Sequence, residues 1–255
     1  MIYTVTLNPS IDYVISLDEM QVGLVNRLKS ASKFPGGKGI NVSRILNELD
    51  VENTALGFLG GFTGQFVANV LTELKVHSDF VGIKEDTRIN VKIHAQQETE
   101  LNALGPNIDD EELSQFMAKF DQVGAGDVVV FSGSVPANLP QTLYDDIIKK
   151  IGQNGASFAV DTTGQGLLDT LDSHPLVVKP NNHELGDLFG VKLTSDDQIE
   201  EYGKKLIEMG AQNVMISMAG EGGMLVTEDQ VFRSFAPKGT VVNSVGAGDS
   251  MLAGF

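Results

Sequence analysis

The chain has 255 residues, of which 42% are hydrophobic, and its 34 acidic side chains outnumber 18 Lys and Arg for a formal charge of −16. That balance excludes a nucleic-acid phosphate track and electrostatic attachment to an anionic membrane, though not a phosphorylated metabolite gathered by a few cations and amides. The absence of cysteine excludes disulfides, thiolate metal sites and cysteine nucleophiles, and the length fits one large α/β domain.

Short β-branched runs alternate with segments of helical period, the pattern of a mostly parallel sheet covered by helices. Ile2 to Leu7 predicts the first strand. Ile40, Ile45, Leu46 and Leu49 then recur at helical spacing after a glycine-rich turn. Thr54 to Phe58 predicts the next strand, and Phe66, Val67, Val70, Leu71 and Leu74 mark a second amphipathic helix. Asp127 to Phe131 is a short apolar run of the kind buried on both faces. Phe158–Val160, Leu176–Val178 and Val214–Ile216 predict further strands, each behind a helix-like stretch. Residues 11–34 and 86–104 break this rhythm with alternating apolar and polar positions. They are expected to form strands outside the main sheet, a flap over its ligand edge. The expectation is one α/β domain over residues 1–255 with a small β excursion. No charged-then-apolar leader opens the chain and no apolar run approaches the ~18 residues of a spanning helix, so a soluble, cytoplasmic protein is expected.

Several short segments carry candidate chemistry. The tetrapeptide GAGD occurs twice. Gly124 to Asp127 leads straight into an apolar run and is expected to be a turn entering a strand. Gly246-Ala247-Gly248-Asp249 follows the β-like Thr240-Val241-Val242 and precedes a small-residue helical start. A strand, a glycine loop and a helix N-terminus together gather free N–H groups and positive potential for an anion. Asp249 would repel phosphate as a binding group, so it fits a general base that takes a hydroxyl proton. Helix capping is its other reading.

Phe34-Pro35-Gly36-Gly37-Lys38-Gly39 opens a helix that continues through Asn41 to Arg44. Its glycines suit a close approach to a ligand with Lys38 supplying charge, or a hinge between flap and domain. It is neither a Walker A loop nor a Rossmann fingerprint. Asp12, past the first strand, is placed to accept from sugar hydroxyls, or is a solvated loop residue. Arg88, in the second flap segment, can clamp a phosphate or remain an exposed charge. Asn181 and Glu184 share one side of a first helical turn, where hard oxygens hold Mg²⁺ through retained waters or simply form a capping box. Ser217-Met218-Ala219-Gly220-Glu221-Gly222 reads as a nucleotide-phosphate loop or a plain turn, too flexible for packed core. The four histidines have no metal-ligand spacing, and Asp109 to Glu112 is expected as a helix N-terminal turn in solvent.

Taken in order, Thr4-Val5-Thr6-Leu7-Asn8-Pro9-Ser10-Ile11-Asp12, the Gly36 to Arg44 block, Lys179-Pro180-Asn181-Asn182-His183-Glu184 and Val245-Gly246-Ala247-Gly248-Asp249-Ser250 resemble the ribokinase family of carbohydrate kinases, phosphofructokinase B type. The resemblance runs from the first residue to the last. Thr87-Arg88-Ile89-Asn90-Val91-Lys92 is similar to the bacterial branch that acts on phosphorylated ketohexoses. It implies a three-layer α/β/α domain with a mostly parallel central sheet and a small β lid that also forms a homodimer contact.

The resemblance further implies transfer of the ATP γ-phosphoryl group to the 6-hydroxyl of fructose 1-phosphate, with Mg²⁺. Asp249 would be the base, and the amides of Gly246, Ala247 and Gly248 the anion hole. Asp12, Gly37, Asn41 and Arg88 would hold the sugar phosphate, with Lys38 and Arg27 as further phosphate partners. Lys179, the 217–222 loop (Ser217, Met218, Ala219, Gly220, Glu221, Gly222) and Gly248 would serve ATP, and Asn181 and Glu184 would support Mg²⁺ indirectly. Arg27, Lys38, Arg88 and Lys179 would then form a positive island in an acidic shell. Asn243 stands where many relatives carry Asp, and the family pattern continues past Phe255 with elements that help enclose the adenine. Two rivals stay open: a tagatose-6-phosphate kinase, and a non-catalytic sugar-phosphate or nucleotide-binding module. Asp249 counts against the module, because a binder gains nothing from a base beside phosphate.

Overall fold

A computed structural model describes residues 1–140, 142–240 and 246–255. Val241, Val242, Asn243 and Val245, singled out above, lie outside the described residues. In chain order the strands are β1 Ile2–Thr6, β2 Ser10–Ser16, β3 Ser30–Gly36, β4 Asn53–Gly60, β5 Ser78–Ile83, β6 Arg88–His94, β7 Glu98–Leu101, β8 Val128–Ser132, β9 Ser157–Asp161, β10 Val177–Val178, β11 Asn213–Ser217, β12 Gly223–Thr227 and β13 Val231–Ser234. The helices are α1 Lys38–Glu48, α2 Gly61–Glu73, α3 Asp110–Ala118, α4 Leu143–Gln153, α5 Gln165–Leu168, α6 Asn182–Phe189, α7 Asp196–Glu208 and α8 Ala247–Ala253.

The main sheet has the order β13-β12-β11-β10-β9-β8-β1-β4-β5, parallel from β11 to β5, with β12 and β13 an antiparallel edge. Period-2 alternation sends each strand's side chains to two helical layers. Val129 and Phe131 of β8, Phe158 and Val160 of β9, and Val214 and Ile216 of β11 pack with α3, α4, α6 and α7 through Phe116, Ile147, Leu185 and Leu206. From the opposite face, Val130, Ala159, Val177 and Met215 meet Val42 and Leu46 of α1 and Leu252 of α8. Ala55 and Leu59 of β4 meet Val67 and Leu71 of α2. Three layers of α/β/α result, as expected.

From β1 the sheet grows one way through β4 and β5 and the other way through β8 to β11. Such a switch point opens a crevice beyond the carboxyl ends of the strands, where ligands bind. Over that crevice stands a separate sheet of order β3-β2-β6-β7, in which β2 runs parallel to β6. The two flap segments are therefore two hairpins of one lid.

Edge elements were the least legible. Strand β5, interrupted by Gly82, and the β12–β13 hairpin, which opens on Gly223, carry weak alternation and were not anticipated. One expectation needs correction. Asp109 does begin a helix, with a capping box completed by Glu112, but Glu112 is buried rather than solvated. Its Oε1 accepts the Lys84 N–H at 2.8 Å while Oε2 accepts the Asp109 N–H, so the carboxylate joins β5's end to α3. The first GAGD is the expected turn: Asp127 accepts from the Gly124 N–H and from the Met1 ammonium.

Candidate active site

The glycine block sets the site's floor. A side chain at Gly39 would place its Cβ 2.5 Å from Thr6 Oγ1 and 2.6 Å from the Val5 carbonyl, so α1 lies against β1 only because this position has none. Gly37 adopts φ 127° and turns the chain from the lid strand β3 into α1. Gly36 leaves room for the side chains of Ser10 and Asp12. Lid, β1 and α1 are thus drawn together around one cleft of about 1450 Å³.

Asp249 projects into that cleft from the first turn of α8. Gly246, left-handed at φ 80°, is the helix cap, and Asp249 makes no capping bond among the described residues. The capping alternative therefore falls. The Asp249 side chain is buried and its Oδ2 accepts from Asn41 Nδ2 at 2.8 Å. Burial pushes its carboxyl above the ordinary range. The Asn41 hydrogen bond opposes that, the Asp161 carboxylate adds to it, and Lys38 and Lys179 pull it back. A carboxyl raised this way is a better proton acceptor than an exposed one.

Two lysines flank it. Lys38 opens α1 and donates to Asp161 Oδ1 at 3.0 Å; Lys179, buried just past β10, has its Nζ 3.4 Å from the same oxygen. Burial alone would lower the Lys38 ammonium, but Asp161, Glu184 and Asp249 hold it above its usual value. A Cβ at Gly248 would come within 3.1 Å of Lys179 Nζ, so the glycine loop sits directly over this ammonium.

The lid supplies the other wall. Ser10 and Asp12 of β2 and Arg88, Asn90 and Lys92 of β6 occupy one face by register and all line the cleft. Asp12 is a strand residue: it accepts from Ser10 Oγ at 2.8 Å and Asn90 Nδ2 at 3.3 Å, and pairs with Lys92 at 3.3 Å. The loop reading for Asp12 is corrected. Arg88 is anchored by donating to the Asn8 and Ala103 carbonyls, which leaves part of its fork for a ligand. Its burial lowers the guanidinium pKa, with Asp12 opposing.

On the far side, Asn181 and Glu184 form a complete capping box at the start of α6. Glu184 Oε2 accepts the Asn181 N–H at 2.8 Å, while Oε1 has no hydrogen bond among the described residues, and both side chains line the cleft. Capping therefore leaves a hard oxygen over. No cluster of three His, Cys, Asp or Glu exists among the described residues. That donor set fits Mg²⁺ held mainly through water and phosphate rather than a protein cage. Asn181 also bridges to Ser217, beside the 217–222 segment. Ala219 to Glu221 form a tight helical turn with Ala219 at φ 46° and Gly222 at φ 98°. Met218 is buried in the main core, so this segment is packed at its root, contrary to expectation.

Of the expected site residues, all but Arg27 line the one cleft. Arg27 is exposed on the connection between β2 and β3. Unanticipated lining residues include Ser10, Asn90, Lys92 and Asp161. Alternation around Asp12 and Arg88 points to the first three; Asp161, a lone Asp closing an apolar strand, gave no separate signal. All four histidines are exposed.

The family profile described as pfkB family carbohydrate kinase matches residues 5–255. The chain is 48% identical to a 1-phosphofructokinase of Bacillus subtilis over 255 residues, all of this chain and 84% of that protein. It is 37% identical to a D-tagatose-1-phosphate kinase of Bacillus licheniformis over 256 residues, again all of this chain and 84% of that protein. The crystal structure of phosphofructokinase-2 from Escherichia coli in complex with substrates and products superposes with a TM-score of 0.93 at 28% identity, over 99% of this chain and 84% of that one.

Proposed function

Because the chain belongs to the pfkB family of carbohydrate kinases, we propose that it transfers the γ-phosphoryl group of ATP to the 6-hydroxyl of D-fructose 1-phosphate, giving D-fructose 1,6-bisphosphate and ADP. The observation that carries this reading is the buried Asp249 carboxylate, raised in pKa and facing the polar wall of the lid across one cleft.

In the proposed mechanism, sugar hydroxyls bond to Asp12, Asn41 and the Gly37 backbone, while Arg88 and Lys38 receive the sugar's phosphate. Asp249 accepts the 6-hydroxyl proton as that oxygen bonds to the γ-phosphorus and the bond to ADP breaks. Amides of Gly246, Ala247 and Gly248 stabilise the charge on the transferring group, and Lys179 with the 217–222 loop holds the nucleotide phosphates. Phosphoryl transfer asks chiefly for such positioning and charge stabilisation. Asn181 and Glu184 would hold Mg²⁺ through water, and the ion would neutralise phosphate charge. Closure of the lid excludes water from the acceptor.

As a phosphate partner, Arg27, which does not line this chain's own cleft, would serve the cleft of a second copy. We accordingly read the lid as a homodimer contact; its exposed Val22 and Val25, each 91% accessible, support this. Among the described residues no helix is long and apolar enough to cross a membrane, and the charge disfavours nucleic acid. We place the enzyme, with its metabolite substrates, in the cytoplasm.

A second reading is the C4-epimeric substrate D-tagatose 1-phosphate, favoured by the Bacillus licheniformis relative. The test is a coupled ADP-release assay with fructose 1-phosphate, fructose 6-phosphate, tagatose 1-phosphate and tagatose 6-phosphate. The highest kcat/KM is expected for fructose 1-phosphate, and preference for any other sugar overturns the assignment. Calorimetric binding of sugar phosphate without ADP release would instead favour a non-catalytic binding module.

A further inference from the structure

We propose that Asp161 is a positioning residue of this kinase, locking the ammonium groups of Lys38 and Lys179 into one rigid unit that serves the sugar-phosphate and nucleotide sides together. The proposal rests on the sugar-phosphate kinase reading above.

Asp161 ends β9, between β8 and β10 at the carboxyl edge of the sheet, and is fully buried. An ionised carboxylate in such a place needs strong partners. Its Oδ1 has two, Lys38 Nζ at 3.0 Å and Lys179 Nζ at 3.4 Å, while Oδ2 is a buried acceptor with none among the described residues. Among the described residues these two ammonium groups are the side chain's only partners. Both its ion-pair partners line the cleft. Its Oδ2, an unpaired interior acceptor, works against stability, while through Oδ1 the two lysines gain a fixed geometry. Each carries its charge on a flexible stem. The backbone already seats Lys179 beside the carboxylate, since the Lys179 N–H donates to the Val160 carbonyl one residue before Asp161. One shared oxygen then decides where both charges stand.

The same carboxylate faces the base. Around Asp249 stand Asn41 and Lys38 from α1, Lys179 past β10 and Asp161 from β9. Glu184 of α6 acts on Lys38, and Arg44 and Glu48 lie further along α1 beside Gly246 and Ser250. Asp161 is the one of the three groups charged toward Asp249 that raises its proton affinity. Removing that charge therefore lowers the pKa of Asp249 and moves the acid limb of kcat/KM to lower pH.

The experiment is steady-state kinetics and a pH profile for the full chain carrying Asp161→Asn, Lys38→Met, Lys179→Met and the two doubles, with circular dichroism as the folding control. Asp161→Asn is expected to lower kcat about tenfold and raise KM several-fold for both sugar phosphate and ATP, because displaced charges lose transition-state contact. The acid limb should shift downward. In the Lys38→Met background the further effect on sugar KM should largely vanish, and likewise for ATP with Lys179→Met, the signature of groups that act as a unit. Effects that multiply independently in the doubles overturn the proposal. So does a loss of rate that merely follows folded fraction, with KM and pH profile unmoved. If the Asn variant does not fold, Asp161→Glu, which keeps the charge, replaces it in both cycles, with non-additivity in KM as the criterion and no shift of the acid limb expected. A wild-type chain that phosphorylates none of the sugars removes the kinase reading and this proposal with it.

Discussion

Asp249 combines two costs that make sense only together: it is buried, and it is held as a carboxylate beside another carboxylate. Because its folded pKa is raised, ionising it opposes folding at neutral pH, and that penalty fades as pH falls through the raised value. Asp249→Asn should therefore melt no lower than wild type at pH 7, with any gain shrinking in acid, while kcat falls by about two to four orders of magnitude. Thermal melts across pH and the ADP-release assay check the two halves. Near-normal turnover would remove Asp249 as the base. Asn41 donates to the ionised form, so Asn41→Leu should raise the Asp249 pKa further and move the acid limb of kcat/KM to higher pH. An unmoved limb would disconnect the pair. Asp249 was legible from its tetrapeptide, but its burial and its Asn41 partner, 208 positions away, were not.

At the scale of elements, the glycine block and the α6 capping box each had two open readings in sequence, and both readings can operate in one place. Gly39→Ala forces a Cβ against the β1 backbone, which cannot move like a side-chain tip. It should destabilise by about 1–3 kcal/mol, the usual cost of overpacking, and raise KM for the sugar phosphate as α1 shifts. Urea unfolding and kinetics would report both. For α6, Glu184→Gln keeps an acceptor for the Asn181 N–H but drops the charge. Its melting temperature should change little, while the Mg²⁺ concentration for half-maximal rate rises about tenfold if that carboxylate supports the ion, a difference near 1.4 kcal/mol. A capping role alone would leave the Mg²⁺ dependence where it was. The lid was visible as two alternating segments because period-2 patterning survives in its strands; β5 and β13 were not, because glycines and edge exposure dilute the pattern there.

For the whole molecule, the prediction concerns self-association. Ile89 and Leu101 are exposed on one face of the lid sheet, and Val22 and Val25 are exposed on the β2–β3 connection. Replacing both Ile89 and Leu101 with Glu should convert a dimer in sedimentation velocity to monomer and raise KM for sugar phosphate. A wild-type monomer would sink the lid contact. Sequence alone determined the fold class, because buried parallel strands and amphipathic helices write their periods locally. It also marked the segments that build the cleft, because turns and helix starts demand particular residues. Tertiary structure alone decided that Asp249 is no cap, that Arg27 lies outside the cleft, and that Asp161 joins Lys38 to Lys179. Those facts depend on where distant strand ends meet at the switch point of the sheet, and no local pattern of residues records a meeting of that kind.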